Sequence, residues 1–188
     1  MIEVLKAARE LQEFCESQGW RSCFIGGLAQ LRWGEPRETI DADLTLLTGY
    51  GQELSFVESL LQQFAGRIPD AAAFAVQHRV VLMRSRAGVG LDVSLGGLPY
   101  EERVVEHSSV FVFRPSVSLR TCSADDLVVL KAFAARSQDW ADIERLIVRQ
   151  AGKLDWDYIL RQLQPFAELK AESDILEQLA RRRREFEG

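Results

Sequence analysis

Two aspartates stand one residue apart, Asp41 and Asp43, at the head of the run Asp-Ala-Asp-Leu-Thr-Leu-Leu. Polar and apolar residues alternate through residues 41 to 47, which is the period of a strand. On a strand, Asp41, Asp43 and Thr45 share one face, and Ala42, Leu44 and Leu46 share the other. Two carboxylates on one face repel unless a cation sits between them. A hard divalent ion such as Mg²⁺, or Mn²⁺ in its place, takes oxygen ligands and keeps positions open for phosphate. The pair predicts a metal platform. The bland alternative is a solvated strand edge with turn-forming acids.

Upstream, the short apolar strand Cys23-Phe24-Ile25 ends in Gly26-Gly27. An amphipathic segment from Leu28 to Trp33 follows and stops at Gly34. Glycine lets the backbone approach a ligand closely and take positive φ. The N–H groups that open the next helix then form an anion site. Arg37 and Thr39 precede the aspartates. Arg37 is a phosphate ligand or the partner of Glu35 or Glu38; its type fits both.

The order strand, Gly26-Gly27, helix, Asp41-Ala42-Asp43 resembles the nucleotidyltransferase superfamily, which shares the DNA polymerase β-like core. Gly34, Arg37 and Thr39 resemble its AbiEii-type subgroup of bacterial abortive-infection and toxin–antitoxin systems. The resemblance implies an NTP substrate bound with Mg²⁺ or Mn²⁺, and transfer of NMP to an acceptor hydroxyl. It implies a third carboxylate on a later strand. Asp92, between Leu91 and Val93, is the acid in the strand-like stretches after Asp43 and takes that place, as metal ligand and general base. Gly26, Gly27, Arg37 and Thr39 would then face the nucleotide. One departure stands out: many members carry serine where Gly27 stands, so that phosphate contact falls to the backbone.

The stretch from Asp126 to Ile147 resembles the subgroup's pattern of a lysine on one helix and acids on the next. It implies that Lys131 reaches the triphosphate and that Asp139 and Asp142 complete the site or position the lysine. The structural alternatives are a lysine snorkelling from a core helix and an N-capping Asp139.

These residues need elements to place them. The periodicity predicts helices over residues 3–17, Gln52 to Phe64 and Leu98 to His107, with strands over Val80 to Arg84, Gly90 to Leu95 and Ser109 to Phe113. Residues 67 to 77 fit helix or strand. Ser123 reads as an N-cap for a helix to about Arg136. Ser137-Gln138 breaks it, and helices from Asp139, from Trp156 to Phe166 and from Ser173 to Phe186 follow. The expected fold is α+β: a nucleotidyltransferase-like mixed sheet flanked by helices over residues 1–121, then a helical C-terminal part over 122–188.

A chain of 188 residues, 47% hydrophobic, can bury a real core. The net charge of −5 argues against bulk nucleic-acid affinity. No apolar run is long enough to cross a membrane, and the charged, amphipathic N-terminus is no signal peptide. Cys15, Cys23 and Cys122 lack metal-ligand spacing and read as reduced thiols of a cytoplasmic protein. His78 and His107 have no partner spacing, and Trp33, Trp140 and Trp156 read as packing residues. Arg181 to Arg184 either offset a helix dipole or touch an RNA acceptor. The expected partners are an NTP, an acceptor (tRNA, protein or small molecule) and an antitoxin protein. Two other readings keep the fold: a nucleotide-binding or interaction module with little catalysis, and an antibiotic-modifying transferase.

Overall fold

The computed structural model describes residues 1–170 and 174–187. The chain divides into two compact units, Met1–Leu28 with Glu38–Cys122, and Ala29–Arg37 with Ser123–Gly188.

The first unit is built on a seven-stranded mixed sheet. Its strands are β1 (Ser22–Phe24), β2 (Asp41–Leu47), β3 (Ala65–Gly66), β4 (Val80–Arg84), β5 (Gly90–Gly96), β6 (Ser109–Arg114) and β7 (Val117–Thr121). They lie in the order β3-β4-β5-β2-β1-β7-β6. The pairs β2–β5 and β1–β7 are parallel; the other neighbours are antiparallel. Alternation explains the buried side of the sheet. Ala42, Leu44 and Leu46 of β2 are buried, as are Leu91, Val93 and Leu95 of β5.

Helix α1 (Ile2–Ser17) packs on β2, β5 and β7 through a stripe that includes Val4, Leu5, Ala8, Leu11 and Cys15. Gly19, at φ +70°, turns the chain out of it into β1. Helix α2 (Gly26–Trp33) follows β1 directly. Helices α3 (Glu53–Gln63) and α4 (Ala71–His78) pack on each other and on the β3–β4 edge, and α5 (Pro99–Glu106) packs on β1 and β2.

The second unit is helical. Helix α6 (Ala124–Ala134) starts at Ser123, whose hydroxyl accepts the Asp126 N–H at 3.0 Å. Helices α7 (Ser137–Gln150), α8 (Trp156–Leu169) and α9 (Ile175–Phe186) follow. Leu127, Val128, Ile143, Leu146, Ile159, Leu163 and Leu179 form its core.

The observed elements depart from the periodicity in several places. The undecided stretch holds helix α4, whose Ala71 and Ala75 are buried. Strand β7 had no counterpart in the sequence reading. Its five residues follow β6 after a tight turn at Pro115-Ser116 and pair with it antiparallel. Ser137 and Gln138 are helical. The break lies earlier, at Ala135, whose left-handed φ of 56° ends α6 while its N–H still reaches the Lys131 carbonyl at 2.9 Å. The expected start of the last helix at Ser173 lies outside the described residues.

Candidate active site

Strand pairing gathers the three acids of the first unit. On the parallel strands β2 and β5, Asp43 stands opposite Asp92 and Asp41 opposite Gly90. Side chains alternate across a strand, and facing positions on neighbouring strands share a face. Asp41, Asp43 and Asp92 therefore lie on one face, away from the buried Ala42, Leu44, Leu91 and Val93. All three are only partly buried.

Asp92 has a cation against it. Its Oδ1 accepts a hydrogen bond from Arg67 Nη2 at 2.7 Å. Burial pushes the Asp92 carboxyl above the ordinary aspartate range, Arg67 pulls it back, and the Asp41 charge pushes it further up; the net direction is up. Gly90 makes room for this arginine. A Cβ there would lie 2.5 Å from Arg67 Nη1 and 3.2 Å from Asp41 Cβ. The guanidinium thus lies over Gly90, beside the position facing Asp41. Arg67 falls at the edge of the stretch that periodicity left undecided, so sequence reasoning missed it.

The two glycines are packed against the same strand. Gly26 has φ +54°, and a Cβ on it would lie 2.1 Å from Asp43 Oδ2. The preceding Ile25 N–H donates to the Asp43 carbonyl at 2.9 Å. A Cβ on Gly27 would lie 2.3 Å from Thr39 Oγ1. Thr39 is 4% exposed, and its hydroxyl donates to the Asp41 carbonyl at 3.2 Å. Gly26 and Gly27 thus form a cradle against Asp43 and Thr39. The space beside Gly27, expected to admit phosphate, is taken on this side by the Thr39 side chain.

Carboxylate oxygens on one face are the donor type a hard divalent ion takes. In this respect Asp41, Asp43 and Asp92 fit such an ion. Among the described residues, no three His, Cys, Asp or Glu side chains stand together closely enough to hold a metal as they lie. The Asp92 carboxylate is engaged by Arg67.

The second unit holds a separate buried cluster. Lys131 is 5% exposed and Asp142 fully buried. Lys131 Nζ donates to Asp142 Oδ2 at 2.7 Å and to Asp139 Oδ1 at 3.5 Å. Arg37 grips the same Asp142 with a fork, Nε to Oδ1 at 3.0 Å and Nη2 to Oδ2 at 3.0 Å. Asp142 is thus a partner that the sequence reading did not offer Arg37. Burial alone would raise the Asp142 carboxyl; hydrogen bonds and charge from Arg37 and Lys131 outweigh it and hold the carboxyl below the usual range. Asp139 also accepts the Arg136 N–H at 3.3 Å at the start of α7, so it caps the helix as well as facing the lysine.

Gln30 is a further residue the sequence reading did not single out. It is fully buried, and its Nε2 donates to the Asp142 carbonyl at 3.3 Å. Gly34 leaves it room, since a Cβ there would lie 2.1 Å from Gln30 Nε2.

Two arginines of the Arg181 to Arg184 run have structural partners. Arg182 pairs with Glu144 at 3.1 Å and lies over Trp140, while Arg183 pairs with Glu187 at 3.0 Å and lies over Trp156. Cys15 is buried, which pushes its thiol up to about 12 and leaves it no thiolate chemistry at neutral pH. Among the described residues no helix is long and apolar enough to cross a membrane.

The model of the family described as "Nucleotidyl transferase AbiEii toxin, Type IV TA system" matches residues 17–186. No curated relative matches the sequence. Among solved structures, the chain is similar to an antigenic nucleotidyltransferase-like protein from Paracoccidioides brasiliensis, with TM-score 0.51 and 14% identity. That likeness covers 95% of this chain and 92% of the other, and at such identity it shows the fold.

Proposed function

Since the chain belongs to the AbiEii nucleotidyltransferase toxin family, we propose that it is a metal-dependent transferase that moves NMP from an NTP to an acceptor hydroxyl. The observation that carries this reading is the register of β2 against β5, which sets Asp43 opposite Asp92 with Asp41 on the same face.

Asp41 and Asp43 would hold a divalent ion, Mg²⁺ or Mn²⁺, and Asp92 would complete its ligands. Bound there, the ion supplies charge neutralisation for the triphosphate and its pyrophosphate leaving group. The Gly26-Gly27 opening of α2 offers backbone N–H groups to a phosphate. Asp92 is the base in this reading. The acceptor oxygen attacks the α-phosphorus, its proton passes to an Asp92 carboxylate oxygen, and the α–β bond breaks with release of pyrophosphate. A carboxyl raised by burial takes a proton more readily than an ordinary aspartate, which suits this role.

For Lys131 the role toward phosphate rests on the family pattern. The buried pairs with Asp142 and Asp139 support a fixed orientation of its ammonium. Membership of a toxin family supports RNA or protein as acceptor and an antitoxin as partner.

The test incubates the protein with each α-labelled NTP and cell extract, with Mg²⁺ and with excess chelator. Label should move to a macromolecule only with the ion present, and Asp41→Asn should abolish it. Equal ATP affinity in chelator by calorimetry would defeat the metal reading. NTP binding without pyrophosphate release, for all four nucleotides and with extract, would instead favour a binding module.

A further inference from the structure

We propose that Arg67 is a tethered cation of the carboxylate face, a positioning residue that holds Asp92 until a divalent ion binds and must release it when the ion does. This rests on the metal-dependent reading above. Arg67 Nη2 lies 2.7 Å from Asp92 Oδ1, so an ion brought to that oxygen meets a positive charge at close range. The contact is built into the strand. Gly90, opposite Asp41, is the residue whose missing Cβ admits the guanidinium, since a Cβ would stand 2.5 Å from Nη1.

The arrangement has the parts of an exchange. Three carboxylates on one face repel one another, and a guanidinium among them offsets that repulsion. A divalent ion brought to the same oxygens is repelled by the guanidinium at close range. The two cations therefore compete for Asp92. Release asks little of the fold. The Arg67 backbone is fixed by its N–H bond to the Leu82 carbonyl at 2.9 Å, while its side chain is 36% exposed. Only side-chain torsions need to change for the guanidinium to swing into water.

Two variants test this independently. Arg67→Met removes the charge and keeps the stem. Gly90→Ala keeps the arginine but places a methyl 2.5 Å from Nη1 and 3.2 Å from Asp41 Cβ, and the flexible end of the arginine is what must move away. Mn²⁺ binding is read by the spin-resonance signal of the free ion, and Tm is read in chelator and in Mn²⁺. Both variants should bind Mn²⁺ about tenfold tighter, the scale of one nearby charge at a partly exposed site. Arg67→Met should also lose Tm in chelator, where the carboxylates repel unopposed, and gain more Tm than wild type on adding Mn²⁺. Equal or weaker Mn²⁺ binding in either variant, folded by circular dichroism, overturns the competition. Should Arg67→Met fail to fold, Gly90→Ala alone decides. A wild-type Mn²⁺ site that Asp41→Asn removes but neither variant alters overturns only the role of Arg67. A wild type whose Mn²⁺ binding ignores Asp41→Asn overturns the metal reading beneath it as well.

Discussion

Asp43 and Asp92 face each other on adjacent parallel strands, although 48 positions of chain separate them. Asp43 is also wedged from behind, because Gly26 leaves only enough space for its carboxylate. The two acids are therefore held by different means: Asp43 by backbone packing, Asp92 by an arginine. This difference sets distinct expectations for substitutions at each.

Asp92→Asn keeps the shape and removes charge and basicity. It should still bind Mg²⁺-NTP through Asp41 and Asp43. Transfer should fall roughly a hundredfold or more, as the loss of a general base implies. Asp41→Asn should lose both binding and transfer. Pyrophosphate release measured beside equilibrium nucleotide binding separates the two patterns. Wild-type turnover in Asp92→Asn would remove Asp92 from the chemistry.

The same residue carries a stability signature. Its carboxyl is raised in the folded state, chiefly by burial. A raised carboxyl favours folding most when protonated, so its contribution is present below the ordinary value of about 3.9 and lost as pH rises through the raised value. At neutral pH the ionised Asp92 therefore costs stability. Asp92→Asn should raise Tm at pH 7 and lose that advantage near pH 3. A variant less stable than wild type at pH 7 would show that the Arg67 bond outweighs the cost of burial.

Gly26→Ala should be harsher than its size suggests. The residue has φ +54°, which strains any side chain, and the new Cβ would stand 2.1 Å from Asp43 Oδ2. We expect a loss of about 1–3 kcal/mol in urea unfolding, with Mg²⁺-dependent nucleotide binding gone because Asp43 must turn away. Gly27→Val should also cost stability, since its Cβ runs into the buried Thr39. Nucleotide affinity retained in a folded Gly26→Ala would show that Asp43 does not hold the ion on which nucleotide binding depends.

Much of this arrangement was legible because it is periodic. Alternation placed Asp41 and Asp43 on one face of β2, and the Val80 to Arg84 strand matches its observed bounds. Ser123 as N-cap gave the start of α6. What escaped was non-local. Arg67 reaches Asp92 across β4, a contact that no local period encodes. Arg37 finds Asp142, far beyond the neighbouring glutamates that sequence offers it. Ala29–Arg37 clusters with the C-terminal helices rather than with the strand before it, which spacing along the chain cannot show. Strand β7 was missed because five residues after a proline turn give too short a pattern.

The helical unit is held in part by its buried ionic cluster. Asp142 accepts from Lys131, from Arg37 and from Gln138 Nε2, the last at 3.0 Å, and its side chain is wholly buried. Removing its charge leaves Lys131 buried with Asp139 at 3.5 Å as its remaining carboxylate. Breaking a buried pair from one side costs about 3–5 kcal/mol, because the other charge is left uncompensated. Asp142→Asn should lose stability on that scale in urea unfolding at pH 7, and Lys131→Met should do the same. The pH dependence follows from the sign of the shift. The Asp142 carboxyl is lowered on folding, so its contribution is present above the ordinary value of about 3.9 and lost as pH falls through the lowered one. Wild type should therefore weaken steeply below about pH 4, and Asp142→Asn should show a shallower acid limb. A loss under about 1 kcal/mol at pH 7, the range of an exposed pair, with acid limbs that coincide, would show that the cluster is solvated and does not fix Lys131.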